Sequence, residues 1–255
     1  MQTNIHYRRQ KDTVTLTFSA EQEGKPPTLD LDVLSRLEDI LERIQEDMDD
    51  LRAVVIRSNS EKYFIVGANI DALADLDAQS IVPWVQRGHA VFNQVAEFPL
   101  PVIAWVEGYA LGGGLELALA CDLILATDNA RLGQPEAKLG LVSGWGGSHR
   151  LPRRVGLAKA KEMFFTGHIL DARAAYDFGL VDYVGIREAV QKYLDNVLDG
   201  IRECSPFAVA QMKLLLDDSL DTTIDENSLA EASASYRCME DATTQARIAA
   251  FLKKS

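Results

Sequence analysis

An α/β fold with a helical C-terminal region is predicted by three features of the 255-residue sequence. Strand-like and helix-like periodicities alternate to about residue 184, several of the strands are apolar along their whole length, and beyond that point only helical patterns remain. Residues 5–9 and 13–18 alternate with period two, as half-buried strands do. After the Gly24-Lys25-Pro26-Pro27 punctuation, Leu31, Leu34, Leu37, Ile40, Leu41 and Ile44 recur at three and four and form one apolar helix face. Residues 53–56 are a short buried strand, and residues 83–97 a helix stopped by Pro99 and Pro101. Val102-Ile103-Ala104-Trp105-Val106 has no polar alternation, which suits a parallel strand covered on both faces. An apolar helix follows from about Gly113, then a strand at 122–126. Residues 187–202, 205–217, 228–239 and 242–253 are helical, with Leu214, Leu215, Leu216, Ile248, Phe251 and Leu252 in need of a partner surface. The organisation expected is a core over residues 1–190 and a helical region over 191–255.

A formal charge of −12 repels phosphate backbones, so nucleic acid is not an expected partner. No run of eighteen apolar residues exists and the first residues alternate in polarity, so the expectation is a cytoplasmic protein without membrane association. Cys121, Cys204 and Cys238 are far apart and show no CxxC spacing, and the four histidines form no ligand pair; neither a disulfide framework nor a metal site is expected. One local exception to the acidic balance is the stretch 138–161, which has no Asp or Glu but contains Lys138, Arg150, Arg153, Arg154, Lys159 and Lys161. It is either a face that receives an anionic ligand or a solvated basic face.

Chemistry concentrates in three segments. In Gly112-Gly113-Gly114-Leu115-Glu116, glycines between a strand and an apolar helix let a ligand approach backbone N–H groups at the positive end of a helix dipole. The same glycines serve tight strand-to-helix packing, and the pattern leaves both uses open. Glu116 falls among Leu115, Leu117, Ala118 and Leu119, where a carboxyl group is withdrawn from water and must be paired or poised to exchange protons. In Gly133-Gln134-Pro135-Glu136, a second acid follows a helix-starting proline beside the glycine-rich stretch Ser143-Gly144-Trp145-Gly146-Gly147. Two carboxyl groups in such settings are what general acid and base work on one substrate requires. The third segment, Tyr63-Phe64-Ile65-Val66-Gly67-Ala68-Asn69-Ile70-Asp71, opens a buried strand through Gly67 into a helix and offers another backbone donor at Ala68.

Taken in order, Phe64-x-x-Gly67-Ala68-x-Ile70, Gly108-x-Ala110-x-Gly112-Gly113-Gly114-x-Glu116-Leu117-Ala118, Cys121-Asp122, Gly133-Gln134-Pro135-Glu136, Gly140, Gly144-x-Gly146-Gly147 and Arg150-Leu151-Pro152 resemble the crotonase (enoyl-CoA hydratase/isomerase) superfamily over essentially the whole chain. The resemblance implies a spiral of ββα units with a helical C-terminal trimerisation region, a homotrimer or a hexamer built as a dimer of trimers, and an acyl-CoA substrate with no metal or other cofactor. It further implies an oxyanion hole from the N–H groups of Ala68 and Gly113, with Glu116 activating water and Glu136 delivering a proton to the α-carbon of a 2-enoyl-CoA. Lys62, Val66, Gly67, Ile70, Tyr109, Gly112, Trp145 and Lys254 match substrate or CoA-binding positions, and Trp84 and Val85 are candidates for the acyl wall. Relatives that isomerise or hydrolyse commonly lack one of the acids. Rival readings on the same fold are an enoyl-CoA isomerase, a hydratase for cyclic or branched dienoyl-CoA, and a non-catalytic acyl-CoA binder. The chain departs from the pattern at Ser143, where proline is usual before Gly144, at Asp71 and Asn69, and at Ala246-Arg247. A dinucleotide site is excluded because no G-x-G-x-x-G is formed, and a serine hydrolase because Ser143 is not in G-x-S-x-G.

Overall fold

The structure is a computed structural model that describes residues 2–253. Two strands, β1 (Thr3–Gln10) and β2 (Thr13–Ala20), form an antiparallel hairpin at the edge of a six-stranded sheet. Parallel strands β3 (Ala53–Ser58), β5 (Val102–Val106), β7 (Leu123–Thr127) and β10 (Tyr183–Gly185) continue it. A smaller sheet holds β4 (Tyr63–Ile65), β6 (Tyr109–Leu111), β8 (Arg131–Gly133) and β9 (Ile169–Asp171). The pairs β3/β4, β5/β6 and β7/β8 each place their first strand in the large sheet and their second in the small one, beside the preceding pair. Helical segments complete each unit: α2 (Ile70–Ala74) and α3 (Ile81–Ala96) after β4, α4 (Gly113–Leu119) after β6, and a 3-10 turn (Glu136–Leu139) with α5 (Gly147–Val155) after β8. This is the spiral of ββα units. Because the second strand of each pair begins a helix, all three helix starts gather at one end of the small sheet.

Helix α1 (Leu31–Glu46) begins where the Asp30 carboxylate accepts from the Val33 N–H, and it buries Leu34, Leu37, Leu41 and Ile44. Those residues join Leu16, Phe18, Ile56 and Phe64 in the core between the sheets. The outer face of the large sheet is covered by α8 (Arg187–Glu203), whose Val190, Leu194 and Leu198 pack on Val55, Ile103, Trp105 and Leu125. Strand β5 is thus buried on both faces, the reason its sequence lacks alternation. The boundary expected between residues 190 and 191 lies within the span of α8.

Helices α6 (Leu157–Thr166) and α7 (Ala172–Asp177) lead into β10, and α9 (Pro206–Asp218), α10 (Ile224–Glu240) and α11 (Ala242–Leu252) form the C-terminal region. Lys213 of α9 is buried and donates to the Asp122 carboxylate at 2.8 Å; the same oxygen accepts from the Val102 N–H at 2.6 Å. Asp122 therefore joins α9 to β5, a structural use of the Cys121-Asp122 motif. Leu216, Leu220, Leu229 and Phe251 remain exposed.

Four of the six basic side chains in the stretch 138–161 have polar partners within the chain. Arg153 pairs with Asp221, Arg154 with Asp182 and Lys159 with Glu162, while Arg150 donates to the Trp145 carbonyl and to Asn93. The three arginines fasten α5 to the rest of the chain, and the Lys159 pair lies within α6. Among the described residues no helix is long and apolar enough to cross a membrane.

Candidate active site

A cavity of about 260 Å³ lies where the three helix starts gather. Its floor is made by Gly67, Ala68, Gly112 and Gly113, its two acids are Glu116 and Glu136, and Trp84, Val85, Leu141 and Val142 supply an apolar wall. A larger groove of about 800 Å³ runs along the outer face of β2 and α8, and neither carboxyl group reaches it.

The backbone donors come first. Residues Leu29 and Ala68 form a parallel bridge in which Leu29 N–H donates to the Gly67 carbonyl and Asn69 N–H to the Leu29 carbonyl. The Ala68 N–H shares a trans peptide with the Gly67 carbonyl that faces Leu29, so it points to the opposite side, and Ala68 lines the cavity. The Gly113 N–H belongs to the first turn of α4, where backbone donors have no partner inside the helix. The two segments adjoin because residue 67 is glycine: its φ is +93°, and a Cβ there would sit 3.1 Å from the Leu111 carbonyl oxygen and 3.6 Å from the Gly113 nitrogen.

Glu116 is 2% exposed, in the first turn of α4. Among the described residues its carboxylate hydrogen bonds all meet one oxygen: Oε1 accepts from the Trp145 N–H at 2.8 Å, the Gly147 N–H at 2.8 Å and the Ser143 hydroxyl at 2.5 Å. The donors belong to a single loop, and they converge only because residue 147 is glycine; a Cβ there would lie 2.3 Å from Ser143 Oγ and 3.1 Å from Glu116 Oε1. With Oε1 saturated, Oε2 is the oxygen left to the cavity.

Glu136 opens the 3-10 turn after Pro135 and is half-buried. Burial, and then the neighbouring Glu116 carboxylate, push its acid up to about 7. Gln134 is fully buried beneath it; with the amide nitrogen facing the acid, that nitrogen donates to both Glu136 oxygens, at 2.6 and 3.0 Å. One cavity thus holds a carboxyl group clamped as an acceptor and another that is neutral over part of the physiological range, the combination that moves two protons at two positions of one substrate.

The structure brings Val66, Gly67, Ala68, Ile70, Gly112, Gly113, Glu116, Glu136 and Trp145 to this cavity. Trp145 does so from below: its ring is 1% exposed and packs on Trp84 and Phe92, and its backbone makes the polar contact. Lys62 and Tyr109 do not line it. Lys62 Nζ lies over the Tyr63 ring, and Tyr109 packs beside Tyr63 with ring centroids 6.1 Å apart. Lys254 falls outside the described residues. Sequence reasoning passed over three contributors: Gln134, Gly147 and Ser143. The glycine cluster around Gly147 and the departure from proline at Ser143 were visible signals, but the link to Glu116, up to 31 positions away, was not.

A family model described as enoyl-CoA hydratase/isomerase matches residues 23–255. Crotonyl-CoA hydratase of Syntrophomonas wolfei is 33% identical over 226 residues, which is 89% of this chain and 86% of that protein. The mitochondrial methylglutaconyl-CoA hydratase of Rattus norvegicus is 34% identical over 202 residues, 77% of this chain and 64% of the longer relative. The crystal structure of an enoyl-CoA hydratase from Bacillus anthracis superposes with a TM-score of 0.91 at 29% identity, covering 98% of this chain and 96% of that one.

Proposed function

The chain belongs to the enoyl-CoA hydratase/isomerase family, and from that premise we propose that it adds water across the double bond of a 2-enoyl-CoA thioester to give the 3-hydroxyacyl-CoA. The observation that carries this reading is the convergence of Glu116 and Glu136, in contrasting environments, on one cavity floored by backbone amides. The thioester oxygen sits between the N–H groups of Ala68 and Gly113, which hold the negative charge that develops as the alkene is attacked. Such a donor contributes about 2.7 to 4 kcal/mol to the transition state. Glu116 takes a proton from water through Oε2, the hydroxide adds to the β-carbon, and the enolate forms. Neutral Glu136 then protonates the α-carbon. Water returns the proton from Glu116 to Glu136 after the product leaves, so the cycle closes with one water consumed and no other reagent.

Val66, Gly67 and Ile70 line the cavity, where the pantetheine chain would pass. The apolar wall receives the acyl group.

The assay is hydration of crotonyl-CoA, read as loss of the enoyl absorbance across a pH series. Because the Glu136 acid must be protonated to give up its proton, kcat/KM is expected to fall about tenfold per unit as pH rises beyond about 7. Migration of a 3-enoyl double bond without hydration would assign the isomerase reaction instead, and binding without turnover a non-catalytic role.

The oligomer belongs to the same proposal. Large apolar side chains on α9, α10 and α11, among them Leu216, Leu229 and Phe251, are exposed in the single chain and suit burial against further copies. Light scattering is expected to give three or six times the 28.1 kDa of one chain; a monomeric mass would remove the assignment.

A further inference from the structure

Ser143 is unlike the two other donors on Glu116. The Trp145 and Gly147 N–H groups are main-chain groups of buried residues, and any sequence able to take up this loop provides them. The Ser143 hydroxyl is a side chain, half-buried and on the cavity wall, and its 2.5 Å contact is the shortest of the three. It stands where the resemblance calls for proline, which has no side-chain donor and no N–H. Ser143 lines the cavity, whereas Gly147 does not.

The geometry points to Ser143 as a positioning residue for the base. Two amides hold Oε1 to the loop, and the hydroxyl closes its cavity side, which fixes the plane of the carboxylate with Oε2 toward the water that attacks. Without the hydroxyl, cavity water reaches Oε1 and the plane of the carboxylate is free to tilt about its two remaining contacts, so productive alignment is lost. The hydroxyl touches neither the enolate oxygen, which lies with Ala68 and Gly113, nor Glu136, whose partner is Gln134. Its effect is therefore confined to water addition. Proton exchange at the α-carbon needs only the oxyanion donors and Glu136, and it should not register the loss.

This inference rests on the hydratase reading, and its test separates the two. Ser143→Ala, Ser143→Thr and wild type are compared in two assays: hydration of crotonyl-CoA, and deuterium uptake at the α-carbon of saturated butyryl-CoA in D2O. For Ser143→Ala we expect kcat for hydration to fall about tenfold, the scale of a charge-assisted hydrogen bond, with KM and deuterium uptake each within about twofold of wild type. Ser143→Thr keeps Oγ and is expected to retain at least about a third of kcat. Full hydration by Ser143→Ala, or an equal loss in both assays, overturns the positioning role. A wild type that exchanges the α-proton but hydrates no 2-enoyl-CoA overturns the hydratase reading itself, whatever the serine variants do.

Discussion

Glu116→Gln is expected to lower kcat for crotonyl-CoA hydration by at least about a hundredfold, the common scale for losing a general base, while leaving the fold and substrate binding in place. The environment of Glu116 makes the substitution a clean one. A glutamine oxygen can take the place of Oε1 and accept from Ser143, Trp145 and Gly147, so the loop keeps its three contacts. The amide nitrogen then occupies the position of Oε2. It is a donor without proton affinity at neutral pH, and the attacking water loses the acceptor for its proton. Because only the transition state depends on that transfer, the loss should appear in kcat with KM little changed. Stopped-flow hydration beside a thermal melt decides the matter: a variant that melts like wild type and still hydrates at the full rate removes Glu116 from the chemistry.

How much of this was legible in the sequence depends on the range of each signal. The long strands and helices show their periodicity over six to seventeen residues and could be read directly. The strands of the small sheet are only three residues each, too short for a period of two to declare itself, so β6, β8 and β9 were not foreseen although they aim the site. Glu116 and Glu136 stood out because each is an acid among apolar or glycine-rich neighbours. Tyr109 also stood out, within the same motif as Gly112, but strand alternation sends its ring onto Tyr63 and away from the cavity. What could not be read is pairing across the chain: Gln134 under Glu136 and the 143–147 loop over Glu116 are products of the spiral, which returns each new helix start to the same end of the small sheet.

The complementary variant, Glu136→Gln, should show an equal loss of at least about a hundredfold by a different route. Burial raises the Glu136 acid to about 7, so near neutrality a substantial fraction carries the proton that the α-carbon needs. An amide cannot release a proton to carbon on this timescale, and the enolate, though still held by Ala68 and Gly113, is left unprotonated and expels hydroxide. The oxygen of the new side chain can accept from the Gln134 amide nitrogen as Glu136 does, so the exchange of acid for amide keeps that contact. Two readouts then distinguish this residue from Glu116. The fall of kcat/KM above about pH 7 should vanish in Glu136→Gln, because the group responsible for it is gone, and should persist in the residual activity of Glu116→Gln. Deuterium uptake at the α-carbon of butyryl-CoA should be lost in Glu136→Gln and kept in Glu116→Gln. If both variants lost the exchange reaction equally, the two carboxyl groups would act as one unit on the α-carbon, and the division of labour between water and carbon proposed for them would fail.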